Sequence, residues 1–402
     1  MENQVPMISL QEALAIATKQ TVVMQVETLD YLDSQGRILA ENVFSDVDMP
    51  PFNKSAMDGY ACRKDDLGKE LELLEIIAAG KMPTQTIGAG QCSKIMTGAK
   101  VPDGADLVFM VEQSERLPNG KIRFTGEKTS ANICVRGEDV QSGDRVLAAG
   151  IKIEPQHIAI LASVGCIRPV VYCRPTVGII STGSELIIPS GKPNPAQIRN
   201  SNGPQLEAQV RKMGLPVCNY GIVPDVQDET FRIIQKSVHE NDVTLISGGV
   251  SVGDFDYVPL VIQQLGFTVH FNKLSVKPGK HTTFASMRND DGQTKYIIGL
   301  PGNPVSSFIQ FEIFAKVFLN RLMNFSEKHF YLPLPLAHDF RRRKSDRDEF
   351  LPVSLTENNE VEIIRYNGSA HIHAYHGALG FVLIEKGVEE ITKGSFIHVR
   401  PL

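Results

Sequence analysis

Apolar residues recur at two different periods along this 402-residue chain, and the period switches several times. Over residues 8–19, Leu10, Ala13, Leu14 and Ala17 fall on one helical face, and Ser9 with Glu12 fits a capping box at the start. Between about 50 and 140 the pattern shortens to β-type runs broken by Gly and Pro, including a Pro118-Asn119-Gly120 hairpin signal. Residues 140–170 are mixed, with a helix predicted over Ile158–Val164 that ends near Gly165. From Thr176 to about Leu322 the rhythm becomes strand, glycine turn, helix. Strands are predicted at Val177–Ile180, Val217–Ile222, Val243–Ile246 and Tyr296–Ile298, and helices at 203–213, 228–238, 256–265 and 304–322. That alternation predicts a mostly parallel sheet with helices on both faces, and ligands at the carboxyl ends of its strands. After about 328, Pro-rich LPLPL leads into the alternating runs Val361–Ile364, Phe381–Ile384 and Ser395–Val399, which predict a small all-β terminal domain. The expected fold class is therefore multidomain, α/β plus β.

Bulk numbers narrow this picture. The length implies about two to four domains. Hydrophobic content of 42% and charged content of 22% are ordinary for a soluble globular protein. A net charge of −5 argues against a broad nucleic-acid-binding surface while allowing a local basic pocket. No apolar run approaches a membrane span, and the start, MENQVPMISL, lacks the basic and apolar segments of a signal peptide. Six cysteines, at 62, 92, 134, 166, 173 and 218, form no CxxC pair. Reduced thiols in a cytoplasmic protein are expected.

Candidate chemistry gathers at the turns of the α/β region. ISGGVSVGDFDY, residues 246–257, follows a predicted strand, and its Gly-rich turn is expected to leave N–H groups and hydroxyls facing an anion. Ser247, Gly248, Gly249, Ser251 and Gly253 are the candidate contacts, and Asp254 and Asp256 beside them point to a divalent cation. Asp58, Asp139, Glu185, Asp225 and Asp256 all sit at turns, where any one of them also reads as a turn former. Three of these, Glu185, Asp225 and Asp256, follow successive strands of one sheet, so their carboxylates are expected to converge around Mg²⁺. In KLSVKPGK, Lys273 and Lys277 share a face if the segment is a strand, and Pro278 with Gly279 turns the chain before Lys280. Such a turn suits an oxyanion. GLPGNPVSS supplies Pro301, Gly302, Asn303, Pro304 and Ser306 at a helix start, where Asn303 is placed to cap and the N-terminus to receive a second anion. Thr97 offers a hydroxyl beside Gly98, or is an ordinary turn residue. His371, His373 and His376 lack a suitably spaced fourth ligand, so an exposed β-loop is expected there rather than a zinc site.

Taken together, PPFNKSAMDGYA, TGAKVPDGAD, VRGEDVQSGD, RPTVGIISTGSEL, IRNSNGPQL, ISGGVSVGDFDY, KLSVKPGK and GLPGNPVSS, in this order, closely resemble the MoeA family of molybdopterin molybdenumtransferases, whose eukaryotic counterpart is the E domain of gephyrin. The resemblance covers nearly the whole chain. It implies insertion of molybdenum from molybdate into adenylylated molybdopterin, with Mg²⁺-assisted release of AMP. It also implies a homodimer of four-domain subunits, and contact with other cofactor-biosynthesis proteins fits that role. The domains would be 1–45 with 140–172 (a mixed linker), 46–139 (β-rich), 173–326 (three-layer α/β) and 327–402 (β-barrel-like). The family's functional positions match Asp58, Thr97, Asp139, Glu185, Asp225, Asp256, Lys273, Lys277, Pro301 and Pro304, with Arg347 and Ser369 near the molybdate. By this resemblance Glu185, Asp225 and Asp256 take the metal and phosphate end. Lys273, Lys277 and Ser369 lie nearer molybdate, while Asp58 and Thr97 reach in from the partner subunit.

The sequence departs from the family at Ser184, where Asp is common, at Asn53-Lys54, and in HAYHGALG. Two other readings stay open at this point. A molybdopterin adenylyltransferase shares the GGVSVG and PGNP turns but generally comprises the α/β domain alone. A gephyrin-like scaffold would have no need of the carboxylates and lysines.

Overall fold

The computed structural model describes residues 6–250, 256–328 and 330–402. The chain packs as two units, Met1–Glu27 with Tyr172–Leu402, and Thr28–Val171. The first helix, α1 (Leu10–Gln20), has the expected capping box, in which Ser9 and Glu12 bond reciprocally. Ala13 and Ala17 form its buried face.

In the unit Thr28–Val171 the β-type runs form a six-stranded sheet. Its strands are β1 (Gly59–Cys62), β2 (Glu70–Ile77), β3 (Gln91–Ile95), β4 (Leu107–Met110), β5 (Ser114–Arg116) and β6 (Ile122–Phe124), in the order β4-β1-β3-β2-β6-β5. Alternation along β1 sends Tyr60 and Cys62 into one core cluster and Ala61 into another, so this strand is covered on both faces. The Pro118-Asn119-Gly120 turn joins β5 to β6 as a hairpin, with Gly120 at φ 83°. Helix α2 (Pro155–Ser163) stops just before Gly165, whose φ is 70°.

The other unit holds the predicted α/β alternation. Strands β7 (Val177–Thr182), β8 (Val217–Val223) and β9 (Val243–Ser247) alternate with helices α3 (Asn202–Lys212) and α4 (Gln227–Glu240). They are followed by α5 (Val258–Gln264), β10 (Thr268–Phe271), β11 (Val276–Lys277), β12 (Thr283–Arg288) and β13 (Thr294–Leu300). The sheet order is β8-β7-β9-β13-β12-β10. The first four strands are mutually parallel, and β12 and β10 extend the sheet antiparallel, two strands that the local pattern did not announce. On one face, Ile180, Ile246 and Ile297 pack with Ile234 and Val261 of the covering helices. Phe284 and Tyr296 pack edge-on against Phe318, at 5.0 and 4.8 Å between ring centroids. The Tyr296 hydroxyl also donates to the Gln20 carbonyl, 2.8 Å away, which ties the end of α1 to β13.

Helix α6 (Pro304–Gln310) runs through a π-helical turn, Phe311–Ala315, into α7 (Lys316–Leu322). The terminal strands are β14 (Leu332–Pro335), β15 (Asp348–Leu355), β16 (Val361–Ile363), β17 (Gly380–Ile384) and β18 (Phe396–Pro401). They join β11 in the order β11-β15-β17-β18-β14, with β16 paired to β15 and a bridge from Leu336 to Val361 linking the two ends. KLSVKPGK is therefore not one strand. Leu274 makes a single parallel bridge to Ile8, and only Val276 and Lys277 form a strand, in register with Asp348 and Glu349; Lys273 lies outside that ladder, so strand alternation does not put the two lysines on one face. A two-residue strand ends at the proline, which has no N–H to give.

Candidate active site

Two cavities open at the carboxyl ends of the parallel strands. The first, of about 840 Å³, is lined by Glu185, Asp225, Asp256, Ser247, Gly248, Gly249, Gly302 and Pro304 among others. Strand β7 ends in Gly183-Ser184-Glu185. Gly183 sits at φ 151°, a backbone conformation that favours glycine, and the Glu185 carboxylate occupies the space where a Cβ would stand. Strand β8 leads to Asp225, which accepts from the Ser184 N–H at 2.9 Å, while the Ser184 hydroxyl accepts from the Asp225 N–H at 3.0 Å. Ser184, the departure from the family's Asp, thus clasps a candidate ligand by its backbone.

Strand β9 delivers Ser247-Gly248-Gly249. The Gly248 N–H donates to the Leu300 carbonyl at 3.1 Å, so it is not free for an anion as the sequence led us to expect, whereas the Ser247 hydroxyl accepts from Asn202 at 2.8 Å and keeps its own O–H to donate. Asn202, which was not among the candidate site residues, also donates to the Gly302 carbonyl at 2.7 Å and so joins the turns after β9 and β13. The sign of its role was present in IRNSNGPQL, where an amide opens α3 directly beside the strand ends. The expectations for Ser251, Gly253 and Asp254 lie outside the described residues.

The second cavity, of about 730 Å³, is lined by Lys277, Pro278, Lys280, Ser306, Arg347 and Ser369, with Arg365 as a further cation that the sequence did not single out. Glu349, 5% exposed, holds the Lys277 ammonium at 2.6 Å and the Arg342 guanidinium at 3.3 Å. Two cations around one carboxylate leave this wall net positive. The Gln310 side chain donates to the Pro278 carbonyl at 3.0 Å and fills the space beside Gly279, which braces the lysine turn on α6. His281, Pro301 and Asn303 line both cavities. Lys273 lines neither, although its charge acts on His281.

The helix start at Pro304 differs from expectation. Asn303 makes no side-chain cap; it donates to the Ser369 hydroxyl at 2.8 Å, and the Val305 N–H donates to the Ser369 carbonyl at 2.9 Å. A carbonyl from the terminal sheet thus takes a donor that was expected to face an anion. The histidine segment leaves His373 and His376 exposed, as expected, but not as a plain β-loop. It forms a short 3₁₀ turn, Ile372–Tyr375, whose Tyr375 packs on Phe308 at 5.2 Å and whose His373 lines the first cavity.

In the unit Thr28–Val171, Asp58 and Thr97 are brought together. Asp58 accepts from the Thr97 N–H at 2.6 Å and from its hydroxyl at 2.8 Å. Those two bonds, the N–H first, and then the nearby Lys94 charge hold the Asp58 carboxyl below its ordinary pKa. Asp139 is fixed through its backbone, its N–H donating to the Met49 carbonyl at 3.0 Å.

Among the described residues no group of three or more His, Cys, Asp or Glu side chains is clustered tightly enough to hold a metal ion alone. Carboxylate oxygens lining a cavity nevertheless fit Mg²⁺, which keeps several waters and binds through one or two carboxylates plus substrate phosphates. All six cysteines are free, and no helix among the described residues is long and apolar enough to cross a membrane.

Three family models match the chain in succession: the MoeA N-terminal region (domain I and II) over residues 8–165, a probable molybdopterin binding domain over 178–321, and the MoeA C-terminal region (domain IV) over 334–402. A molybdopterin molybdenumtransferase of Staphylococcus epidermidis is 38% identical over 99% of this chain and 96% of its own length. One from Staphylococcus aureus is 37% identical over 77% of this chain and 74% of its own. A crystal structure of a molybdopterin biosynthesis MoeA protein from Pyrococcus horikoshii aligns with a TM-score of 0.84 at 26% identity, covering 99% of this chain and 100% of that one. Relatives so similar along nearly the full length show that the chain belongs to the molybdopterin molybdenumtransferase family and is an enzyme of molybdenum cofactor biosynthesis.

Proposed function

We propose that the two cavities work as one site, in which molybdenum from molybdate enters adenylylated molybdopterin and AMP leaves. The observation that carries this is the division of charge. Glu185, Asp225 and Asp256 line one cavity with a single cation, Arg199; Lys277, Lys280, Arg347 and Arg365 line the other with a single carboxylate, Glu349; and Pro301 and Asn303 belong to both walls. Molybdate is favoured against the cations, where Lys277 is already oriented by Glu349 and Ser369 by Asn303. The phosphate linkage then falls on the carboxylate side. There one or two of Glu185, Asp225 and Asp256, together with the substrate phosphate, would hold Mg²⁺, since the three do not form a ready-made cluster, and the chemistry it supplies is neutralisation of charge developing on the leaving phosphate. Ser184 keeps Asp225 in place, and Asn202 keeps the turns after β9 and β13 at a fixed separation. Both reduce the reorganisation that reaction would otherwise require.

The same reading gives Asp58, Thr97 and Asp139 to the site of a partner subunit in a homodimer, as the resemblance implies. It keeps the four-part division 1–45 with 140–172, 46–139, 173–326 and 327–402, and a cytoplasmic setting. The test uses purified protein with adenylylated molybdopterin, Mg²⁺ and molybdate. AMP should appear only when molybdate is added. Asp256→Ala should slow that release by about a hundredfold or more with an unchanged circular dichroism spectrum. Release of AMP at the wild-type rate by this variant would remove Asp256 from the site.

A further inference from the structure

His281 lines both cavities, and its backbone is held on either side. Lys280 before it gives its carbonyl to the Leu274 N–H at 2.8 Å, and the buried Thr282 after it donates its hydroxyl to the Gly279 carbonyl at 3.2 Å. These bonds hold the backbone on either side of His281 at the shared wall. The imidazole is half-buried and makes no hydrogen bond to another described residue. Charges of both signs lie near it, Lys280 and Lys273 favouring the neutral ring and the Asp256 carboxylate the charged one.

We infer that His281 is a substrate-binding residue, donating an imidazole N–H to an oxyanion where the two cavities meet. The inference rests on the proposed function, since it requires one ligand set to span both walls. A third lysine here would form a salt bridge with Asp256 and compete with the metal, and a carboxylate would repel the oxyanion. A neutral imidazole avoids both, offering one donor and one acceptor without adding charge. Burial, and next Lys280 and Lys273, push its pKa below the ordinary histidine value, which keeps it in this form near pH 7. The shared chemistry is a tetrahedral oxyanion, and both molybdate and the phosphate of the adenylylated substrate present it.

The experiment compares the full-length wild type with His281→Ala and His281→Gln, the glutamine retaining an N–H donor at similar reach. Calorimetry measures binding of molybdate alone and of AMP alone without Mg²⁺, and steady-state AMP release is followed with each substrate varied in turn. His281→Ala should weaken one of the two oxyanions by about tenfold in both assays, the loss expected for one hydrogen bond to a charged group, and His281→Gln should recover most of it. A loss confined to molybdate assigns the contact to molybdate, and one confined to AMP assigns it to the phosphate. Unchanged binding and KM for both ligands in His281→Ala would overturn the inference, as would a glutamine variant as impaired as the alanine one. A wild type that binds both oxyanions yet releases no AMP would sink the proposed function instead, and the binding comparison would still judge His281.

Discussion

Asp58 and Thr97 are thirty-nine positions apart in sequence and share two hydrogen bonds. Removing only the hydroxyl, as in Thr97→Val, leaves the N–H bond and should raise the Asp58 pKa part of the way to its ordinary value, as an NMR titration would record. The folded-state pKa is depressed, so the pair contributes stability above the unfolded pKa and loses it as pH falls through the folded value. Wild type and variant should therefore differ in urea midpoint near neutral pH and converge in acid. Identical midpoints at every pH would make the side-chain bond inconsequential. At this scale the sequence was legible wherever a residue follows a strand. Glu185, Asp225 and Asp256 line one cavity because parallel strands bring their carboxyl ends together. His281 and Arg365 were not legible. Their importance comes from what stands opposite them in space, and nothing in their own neighbourhood signals it.

At the scale of elements, three of the four parallel strands, β7, β9 and β13, were readable as buried apolar runs leading into glycine turns, while β8, VCNYGIV, is only partly buried and runs into Pro224-Asp225. Strands β10 and β12 were not readable. The former is only partly buried, and the latter carries Thr283 and Ser286 inside the sheet, so neither presents the apolar signature of its neighbours. The Gly-rich turn after β9 was located correctly but misread in detail. Gly248 extends the ladder to Leu300, and at φ 94° it passes so close to β7 that a Cβ would sit 2.4 Å from the Thr182 carbonyl oxygen. Gly248→Ala should therefore cost about 2–4 kcal/mol in urea unfolding, combining backbone strain with overpacking. A loss below about 0.5 kcal/mol, the usual range for an unremarkable surface change, would show that the turn can relax.

For the whole molecule, the decisive prediction concerns two chains. If Asp58 of one subunit completes the site that holds Asp256 of the other, each single alanine variant alone is inactive. Co-refolding equal amounts of Asp58→Ala and Asp256→Ala should then restore about a quarter of wild-type AMP release, because half the dimers are mixed and each has one intact site. No recovery, with mixed dimers present by native mass spectrometry, would place both residues in one subunit's site. Strand periodicity cannot report such an arrangement, because it describes neighbours within one sheet.

The pairing of β11 with β15 carries its own consequence for modularity. Lys277 is covalently part of the α/β region, yet its hydrogen-bond ladder and its counter-charge, Glu349, both belong to the terminal sheet. The Ser369 carbonyl that receives the Val305 N–H belongs to the same segment. The terminal residues are thus no detachable appendage. A chain shortened to end near Asn324 could retain its parallel sheet and its carboxylate turns while losing the order of its cationic turn. Exchanging terminal sheets between relatives would accordingly alter how the oxyanion is held, even where every lysine of the α/β region is retained.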